Sequence, residues 1–333
     1  MIMEDIVKVK NLSHRLGDFL AVDKINFTVE KGKIFSFLGP NGAGKTTTIK
    51  MLTTLLNPTK GSANIVDFDI IKNRDKVRKN IGVVFQEPAL DTELTGGENL
   101  DYHARMYAIS RDKRKERINA VLKLVDLEDK IDIIVKNYSG GMKRRLEIAR
   151  GLMHYPNVLF LDEPTLGLDA QTRRAIWNYV KKMNKEEGTT IFLTTHYMDE
   201  ADYLCDRVGI IDRGKILVID TIENLKNSIG KDVITLTCSN INSLENRLEK
   251  EKWIFNIKKH DSKLTLGVEK GDEKIPLIIE ISQSEKIRIK SISVRKPTLD
   301  DVFLHFTGRT IREDEKKNNV ETQPRFRMRG GRR

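Results

Sequence analysis

Gly39-Pro40-Asn41-Gly42-Ala43-Gly44-Lys45-Thr46-Thr47 decides the fold. A glycine, four free positions and then Gly-Lys-Thr is the spacing of a phosphate-binding loop. The apolar run Lys33-Ile34-Phe35-Ser36-Phe37-Leu38 ahead of it predicts a strand, and Thr46 to Leu56 behind it predicts a helix. Gly42 and Gly44 lack Cβ, so the backbone can turn tightly and bring its N–H groups against an anion. The helix start adds unpaired N–H groups and the positive end of a dipole. Lys45 supplies a full charge that reaches β- and γ-phosphates, and the Thr46 hydroxyl is placed for Mg²⁺. A glycine-rich turn before a helix can also bind nothing. Lys-Thr at this offset, behind a strand, argues against that.

The rest of the chain sets bounds on this reading. At 333 residues it exceeds one compact core of usual size, and two domains are expected. Apolar residues at 39% and charged residues at 32% give a soluble protein with enough apolar side chains for real cores. No run approaches the roughly 18 apolar residues of a membrane span. Met1-Ile2-Met3-Glu4-Asp5 lacks a signal peptide's basic start and apolar segment, so the chain is expected in the cytosol unless something docks it elsewhere. Cys205 and Cys238, far apart and with no Cys-x-x-Cys, argue against a zinc site or a disulfide frame. The net charge of +11 is compatible with nucleic acid, an anionic membrane surface or a nucleotide. Part of it sits in the arginines 325, 327, 329, 332 and 333.

Ile6 to Val9 and Ile25 to Val29 alternate as strands do. Asn57-Pro58-Thr59-Lys60-Gly61 breaks the pattern, and Ile81 to Phe85 is a short buried-type strand. Glu98 to Met106, Arg114 to Leu124 and Met142 to Met153 read as helices. Val158 to Leu161 and Thr189 to Thr194 are apolar strands flanking a helix over Ala170 to Glu187. Strands alternating with helices predict a mostly parallel sheet covered on both faces. From about Lys231 the order becomes strand, helix, strand, strand, helix, strand, the ferredoxin-like βαββαβ pattern, and Pro297-Thr298 opens a last helix. Beyond Gly308 the chain is polar and Arg/Gly-rich, which predicts disorder.

The strand Val158-Leu159-Phe160-Leu161 ends in Asp162-Glu163-Pro164. An acid at the end of an apolar strand is the usual partner of a phosphate loop, and Asp162 is expected to hold Mg²⁺. Glu163, a second carboxylate beside it, can take a proton from an attacking water or orient that water. At this point residues 4–228 resemble the nucleotide-binding subunits of ABC transporters. Asn41 to Thr47 resembles the Walker A motif, Gln86 the Q-loop glutamine and Ser139-Gly140-Gly141-Met142 the signature motif. Leu161 to Pro164 resembles Walker B with its catalytic glutamate, Gly167-Leu168-Asp169 the D-loop, and His196 the switch histidine. Lys296-Pro297-Thr298-Leu299-Asp300-Asp301-Val302-Phe303-Leu304 and Phe19 to Asp23 resemble export-type subunits of the daunorubicin-resistance class.

The resemblance implies an α/β fold: a P-loop NTPase domain of the ABC ATPase type over residues 1–230, with a parallel-sheet core and a helical subdomain. An accessory α+β domain over 231–307 and a basic tail over 308–333 follow. It implies ATP and Mg²⁺ as cofactors, with Asn41, Gly42, Gly44, Lys45, Thr46 and Thr47 on the phosphates. Thr46, Gln86 and Asp162 organise the metal, Glu163 is the base, and His196 bonds the γ-phosphate. Ser139, Gly140 and Gly141, at a helix start of their own, serve the nucleotide of a second copy in a head-to-tail dimer. The Gln86 loop, through Glu87 to Asn99 with Gly96 and Gly97, is a moving segment that receives an integral membrane permease at the cytoplasmic face. The chain departs from the family at Leu16, where an adenine-stacking aromatic is usual, and at Met142, usually glutamine. Lys143-Arg144-Arg145 reads as a solvated face. A soluble ABC-type ATPase acting on nucleic acid lacks its second ATPase half here, so nucleic acid is not an expected partner. A GTP switch lacks an Asn-Lys-x-Asp motif.

Overall fold

A computed structural model describes residues 4–260 and 262–308. The expected tail at 308–333 lies, past Gly308, outside the described residues. The chain separates into two units, with the division between Ile222 and Glu223.

The first unit carries two sheets. Strands β1 (Asp5–Leu16) and β2 (Phe19–Glu30) form an antiparallel hairpin closed by a two-residue turn, so Leu16 and Phe19 face each other across it. The hairpin continues through β4 (Lys60–Ile65) and β5 (Phe68–Asp69) in the order β2-β1-β4-β5. This antiparallel sheet is an addition to the parallel one that the alternation of elements predicts.

The second sheet holds β3 (Ile34–Leu38), β6 (Ile81–Val84), β7 (Val158–Asp162), β8 (Thr190–Thr195), β9 (Arg207–Asp212) and β10 (Lys215–Thr221). Its order is β10-β9-β3-β8-β7-β6, parallel except for the β9–β10 hairpin. Every residue of β3, β7 and β8 is buried, as a central parallel strand covered on both faces requires. One face packs on the antiparallel sheet through Phe27 of β2, which meets Phe37 at 4.9 Å and stacks on Phe35 at 5.6 Å, with Phe192 tilted against both sheets' rings. The other face is covered by α5 (Gly140–Leu152) and α6 (Ala170–Glu187), with Leu146, Leu152, Ile176 and Val180 fully buried.

Helices α1 (Lys45–Leu52) and α2 (Arg74–Asn80) follow β3 and β5. The helical subdomain is α3 (Gly96–Met106) and α4 (Arg111–Leu124) packed with α5. Gly96 and Gly97 are the first turn of α3, not part of a moving loop. Thr95 caps that helix through a reciprocal pair with Glu98. A Cβ at Gly96 would lie 2.3 Å from the Tyr138 hydroxyl, so close packing, not flexibility, requires the glycine. Helix α7 (Met198–Leu204) follows β8.

The second unit begins in α8 (Ile222–Asn227) and has strands β11 (Asp232–Cys238), β12 (Ile254–His260), β13 (Lys263–Val268) and β14 (Ile289–Arg295), in the order β12-β13-β11-β14 with antiparallel neighbours. Helices α9 (Ile241–Leu248) and α10 (Gly271–Ser284) complete the βαββαβ order. Ile234, Leu236, Leu244, Leu266 and Ile278 form its core. Thr298 caps α11 (Leu299–Thr307) reciprocally with Asp301, whose carboxylate also takes Arg295 Nη2 at 2.6 Å.

Candidate nucleotide site

The loop between β3 and α1 is shaped by close approach. A Cβ at Gly39 would stand 2.2 Å from the Ile211 carbonyl, and one at Gly44 would stand 2.6 Å from the Ala21 carbonyl. Gly42 and Gly44 have φ of 82° and 98°, the left-handed region that glycine enters without strain. Gly44 caps α1 and offers no side chain to its first N–H groups, which leaves them for an external anion. The loop borders a cleft of about 400 Å³ lined by Asn41, Gly42, Gly44, Lys45, Thr46, Thr47, Gln86 and Glu163. Leu16, Phe19, Ala21 and Leu166 line the same cleft and give it an apolar part. Leu16 and Phe19 are 54% and 63% exposed, free to cover a flat aromatic ligand.

Lys45 and Glu163 are folded onto each other. The Lys45 ammonium donates to the Gly39 carbonyl at 2.8 Å and the Pro40 carbonyl at 3.0 Å, and pairs with Glu163 Oε1 at 3.2 Å. Glu163 Oε2 faces His196 Nδ1 at 3.2 Å. Burial pushes the Glu163 carboxyl up, but the hydrogen bond from His196 and the charge of Lys45 together outweigh it and hold the carboxyl below its ordinary value. Glu163 also has φ of 46°, a strained backbone for a side chain of its size. Its N–H is held by Thr194, at 3.1 Å from both the carbonyl and Oγ1. The turn re-aims the carboxylate from the end of β7 into the cleft.

Asp162 lies beside it. Its Oδ1 accepts from Thr46 Oγ1 at 3.1 Å and Thr194 Oγ1 at 2.5 Å. Its Oδ2 is buried with no hydrogen-bond partner among the described residues. A buried carboxylate oxygen left open next to a threonine hydroxyl is a hard-oxygen arrangement that fits Mg²⁺, which keeps some of its waters.

Ser139, Gly140 and Gly141 are not among the residues lining the cleft. Ser139 caps α5, accepting from the Met142 N–H at 3.2 Å, and Ser139 and Gly140 are exposed. A Cβ at Gly141 would meet Thr172 Cγ2 at 2.5 Å. Thr172 in turn donates its hydroxyl to Asp169 Oδ2 at 2.6 Å, at the start of α6. The signature turn and the Asp169 turn are thus packed side by side.

Three residues have roles that their sequence context does not announce. Lys143-Arg144-Arg145 is not a solvated face: Arg144 is 8% exposed and Arg145 half-buried. The Arg144 guanidinium donates to the Phe85 carbonyl, next to Gln86, and to the Pro164 carbonyl, next to Glu163, and Arg145 Nη1 donates to the Val125 and Asp126 carbonyls at 3.0 Å each. Glu200, a few residues after His196, is completely buried. Its Oε1 accepts from Thr165 Oγ1 at 2.7 Å and Trp177 Nε1 at 2.8 Å, tying α7 to the turn after Glu163, and burial pushes its carboxyl up.

A phosphate loop on a parallel sheet, an acid pair whose Glu163 closes on the loop's lysine and whose Asp162 takes its threonine, and a serine–glycine helix start set apart from both define an ATP-binding cassette. The ABC transporter family matches residues 22–166, and the family of the C-terminal domain of DrrA1-3-like ATP-binding proteins matches residues 221–307. The chain belongs to the ABC transporter ATP-binding proteins of the drug-resistance group, and it binds and hydrolyses ATP. It is 36% identical over 312 residues to the linearmycin resistance ATP-binding protein LnrL of Bacillus subtilis (strain 168), covering 92% of this chain and 100% of that one. It is 38% identical over 295 residues to the daunorubicin/doxorubicin resistance ATP-binding protein DrrA of Streptomyces peucetius, covering 86% and 88%. Among solved structures, a dimeric post-hydrolysis state of the ATP-binding cassette MJ0796 with ADP and Pi aligns with a TM-score of 0.58 and 29% identity, over 65% of this chain and 98% of that one. No helix among the described residues is long and apolar enough to cross a membrane. As the ATP-binding subunit of an ABC exporter, the protein powers a separate membrane permease.

Proposed function

We propose that two copies of this chain clasp two ATP molecules head to tail, and that closure and reopening of this dimer drive an exporter of apolar antibiotics or lipid-like molecules. The observation that carries the reading is that the cleft is lined by Lys45, Thr46 and Thr47, which suit phosphates, and by Glu163, with Asp162 bonded to Thr46 beside it, but by nothing from Ser139 to Gly141. That exposed helix start is a second anion site without a nucleotide of its own in the same cleft, and a partner's γ-phosphate fits it.

In the proposed cycle, ATP displaces Glu163 from Lys45, and the lysine and the N–H groups of residues 41–47 take the phosphates. Thr46, Gln86 and Asp162 would hold Mg²⁺, which supplies charge neutralisation at the β- and γ-phosphate oxygens. Freed of Lys45, Glu163 orients a water for in-line attack and accepts its proton, while His196 fixes the carboxylate and reaches the γ-phosphate. Leu16 and Phe19 cover the base. Two features support docking of the permease beside the Gln86 loop. Arg150 Nη1 donates to the Ala89 carbonyl at 2.7 Å, which fastens that loop to α5. A groove of about 1030 Å³ lined by Met106, Tyr107, Lys113, His154 and Tyr155 borders the same helix's end. Such docking places the protein at the cytoplasmic face of the membrane. The names of the relatives, linearmycin and daunorubicin/doxorubicin resistance proteins, support an antibiotic as the exported molecule. Residues 231–307 are read as an accessory domain, since its described core holds no catalytic group set.

Size-exclusion chromatography of Glu163→Gln tests the reading. With ATP the variant is expected to elute as a dimer, and Ser139→Ala in the same background returns it to a monomer. A Glu163→Gln protein that stays monomeric at saturating ATP refutes it.

A further inference from the structure

We propose that Arg144 is a positioning residue that couples the two ATP sites of the dimer, carrying a displacement of the Ser139 turn by one nucleotide to the residues that organise the other. The inference rests on the head-to-tail reading above.

An arginine side chain has five N–H groups in a rigid planar fork. In Arg144 all five have acceptors. Nε donates to the Pro164 carbonyl at 2.7 Å, Nη1 to the Phe85 carbonyl at 2.6 Å and to Glu147 Oε2 at 3.0 Å, and Nη2 to the Asp162 carbonyl at 3.0 Å and the Glu163 carbonyl at 3.3 Å. Four of these acceptors are main-chain oxygens, and they belong to the two segments that organise water and metal. Phe85 immediately precedes Gln86, and the other three carbonyls are those of the strained turn that aims Glu163. Glu147 completes the grip: its second oxygen accepts the Ala89 N–H at 2.8 Å, so the Gln86 loop is held on both sides from one helix.

That helix is α5, and its cap is Ser139. Arg144 lies five positions after Ser139, roughly 7–8 Å along the helix. The start of α5 is wedged on α6 by the Gly141–Thr172 contact, so it has little freedom to flex locally. A phosphate drawn onto Ser139 by the partner therefore moves the guanidinium with the helix, and with it the carbonyls flanking Glu163 and Gln86. A solvated basic side chain, or one that only packs, has no use for four main-chain acceptors on two catalytic segments.

The test measures ATPase rate against ATP concentration for the full-length protein, the cooperativity of that curve, and ADP affinity. The parent is expected to show a Hill coefficient near its two-site limit of about 2. Arg144→Gln and Arg144→Lys are expected to bring it to about 1 and to cut kcat about tenfold, with ADP affinity within about twofold of the parent. In the Glu163→Gln background they should still dimerise with ATP. If Arg144→Gln fails to fold, Glu147→Gln, which weakens the carboxylate that locks the Arg144 fork and bridges it to the Ala89 N–H, is expected to lower the Hill coefficient part of the way to 1, and an unchanged coefficient there overturns the inference. A parent coefficient near 1, an unchanged coefficient in the variants, or a loss of ADP affinity in step with thermal stability overturns the inference. Failure of Glu163→Gln to dimerise with Arg144 intact instead refutes the head-to-tail reading beneath it.

Discussion

Glu163→Gln should make the nucleotide-free protein less stable and its ADP complex tighter by the same amount. In the free protein Lys45 and Glu163 pair at 3.2 Å with side chains only 4% and 8% exposed. At an effective dielectric constant of 20 the Coulomb attraction over 3.2 Å is roughly 5 kcal/mol before desolvation is charged against it. Glutamine keeps the shape and one acceptor oxygen, and Lys45 keeps the carbonyls of Gly39 and Pro40. The net loss is then that of one charge-assisted hydrogen bond, about 2 kcal/mol. Nucleotide has to break this pair in any case, so the bound state loses little. The difference must reappear as ADP affinity: about 2 kcal/mol, or roughly 30-fold. ADP is the right probe because it lacks the γ-phosphate that recruits a partner. Urea unfolding of the free and ADP-saturated forms gives one side of the balance and calorimetric titration the other. Hydrolysis falls by about 10²–10⁴ in the same variant. If free-state stability is unchanged, or falls with no gain in ADP affinity, Lys45 and Glu163 do not compete with nucleotide and the displacement step is wrong.

Leu16→Tyr should strengthen ATP binding by about 1 kcal/mol, since a ring on the exposed edge of the cleft can stack on adenine where leucine cannot; competition titration with GTP reads the change in base preference. Gly141→Ala places a methyl 2.5 Å from Thr172 Cγ2, so it should cost about 1–3 kcal/mol by thermal unfolding and abolish ATP-dependent dimerisation, with recovery when Thr172→Ser removes the opposing methyl. Lys45→Ala should weaken ADP binding at least about a hundredfold, because the cleft loses its only lining ammonium among the described residues. Burial, with help from Arg150 and His154, lowers His103 from 6.5 to about 4. The native imidazole stays neutral while the unfolded chain takes up a proton, so stability should fall as pH drops from 6.5 towards 4, by up to about 3 kcal/mol. His103→Gln should remove that component from urea-unfolding curves compared across the same range.

The phosphate loop and the Asp162-Glu163 pair are legible in the sequence because their chemistry needs contiguous residues in fixed order. The ferredoxin-like unit is legible because its apolar strands and helices are short and cleanly separated. The antiparallel sheet is harder to see. Register shifts at Val9–Leu12 and Leu12–His14 break the alternation of β1, and β4, Lys60-Gly61-Ser62-Ala63-Asn64-Ile65, has only two apolar residues. The β9–β10 hairpin does leave a signal, Arg213-Gly214 between two apolar runs, and both residues take the positive φ that such a turn requires. Gly96 and Arg144 are misleading for one reason: what decides each is a group distant in sequence. The Tyr138 hydroxyl excludes a Cβ at Gly96, and carbonyls at 85 and 162–164 bury a guanidinium that its basic neighbours make look solvated. Glu200 is buried by the same kind of long-range contact, with Thr165 and Trp177.

The left-handed backbone at Glu163 bears on how this position is held by folding and by the proposed chemistry. A non-glycine residue held there stores about 1–3 kcal/mol that glycine would release. Glycine would also forfeit the Lys45 pair, about 2 kcal/mol, so the two effects nearly cancel and folding alone gives little reason to keep an acid here. Stability screens run without an activity requirement would therefore be indifferent to the residue on which the proposed chemistry depends.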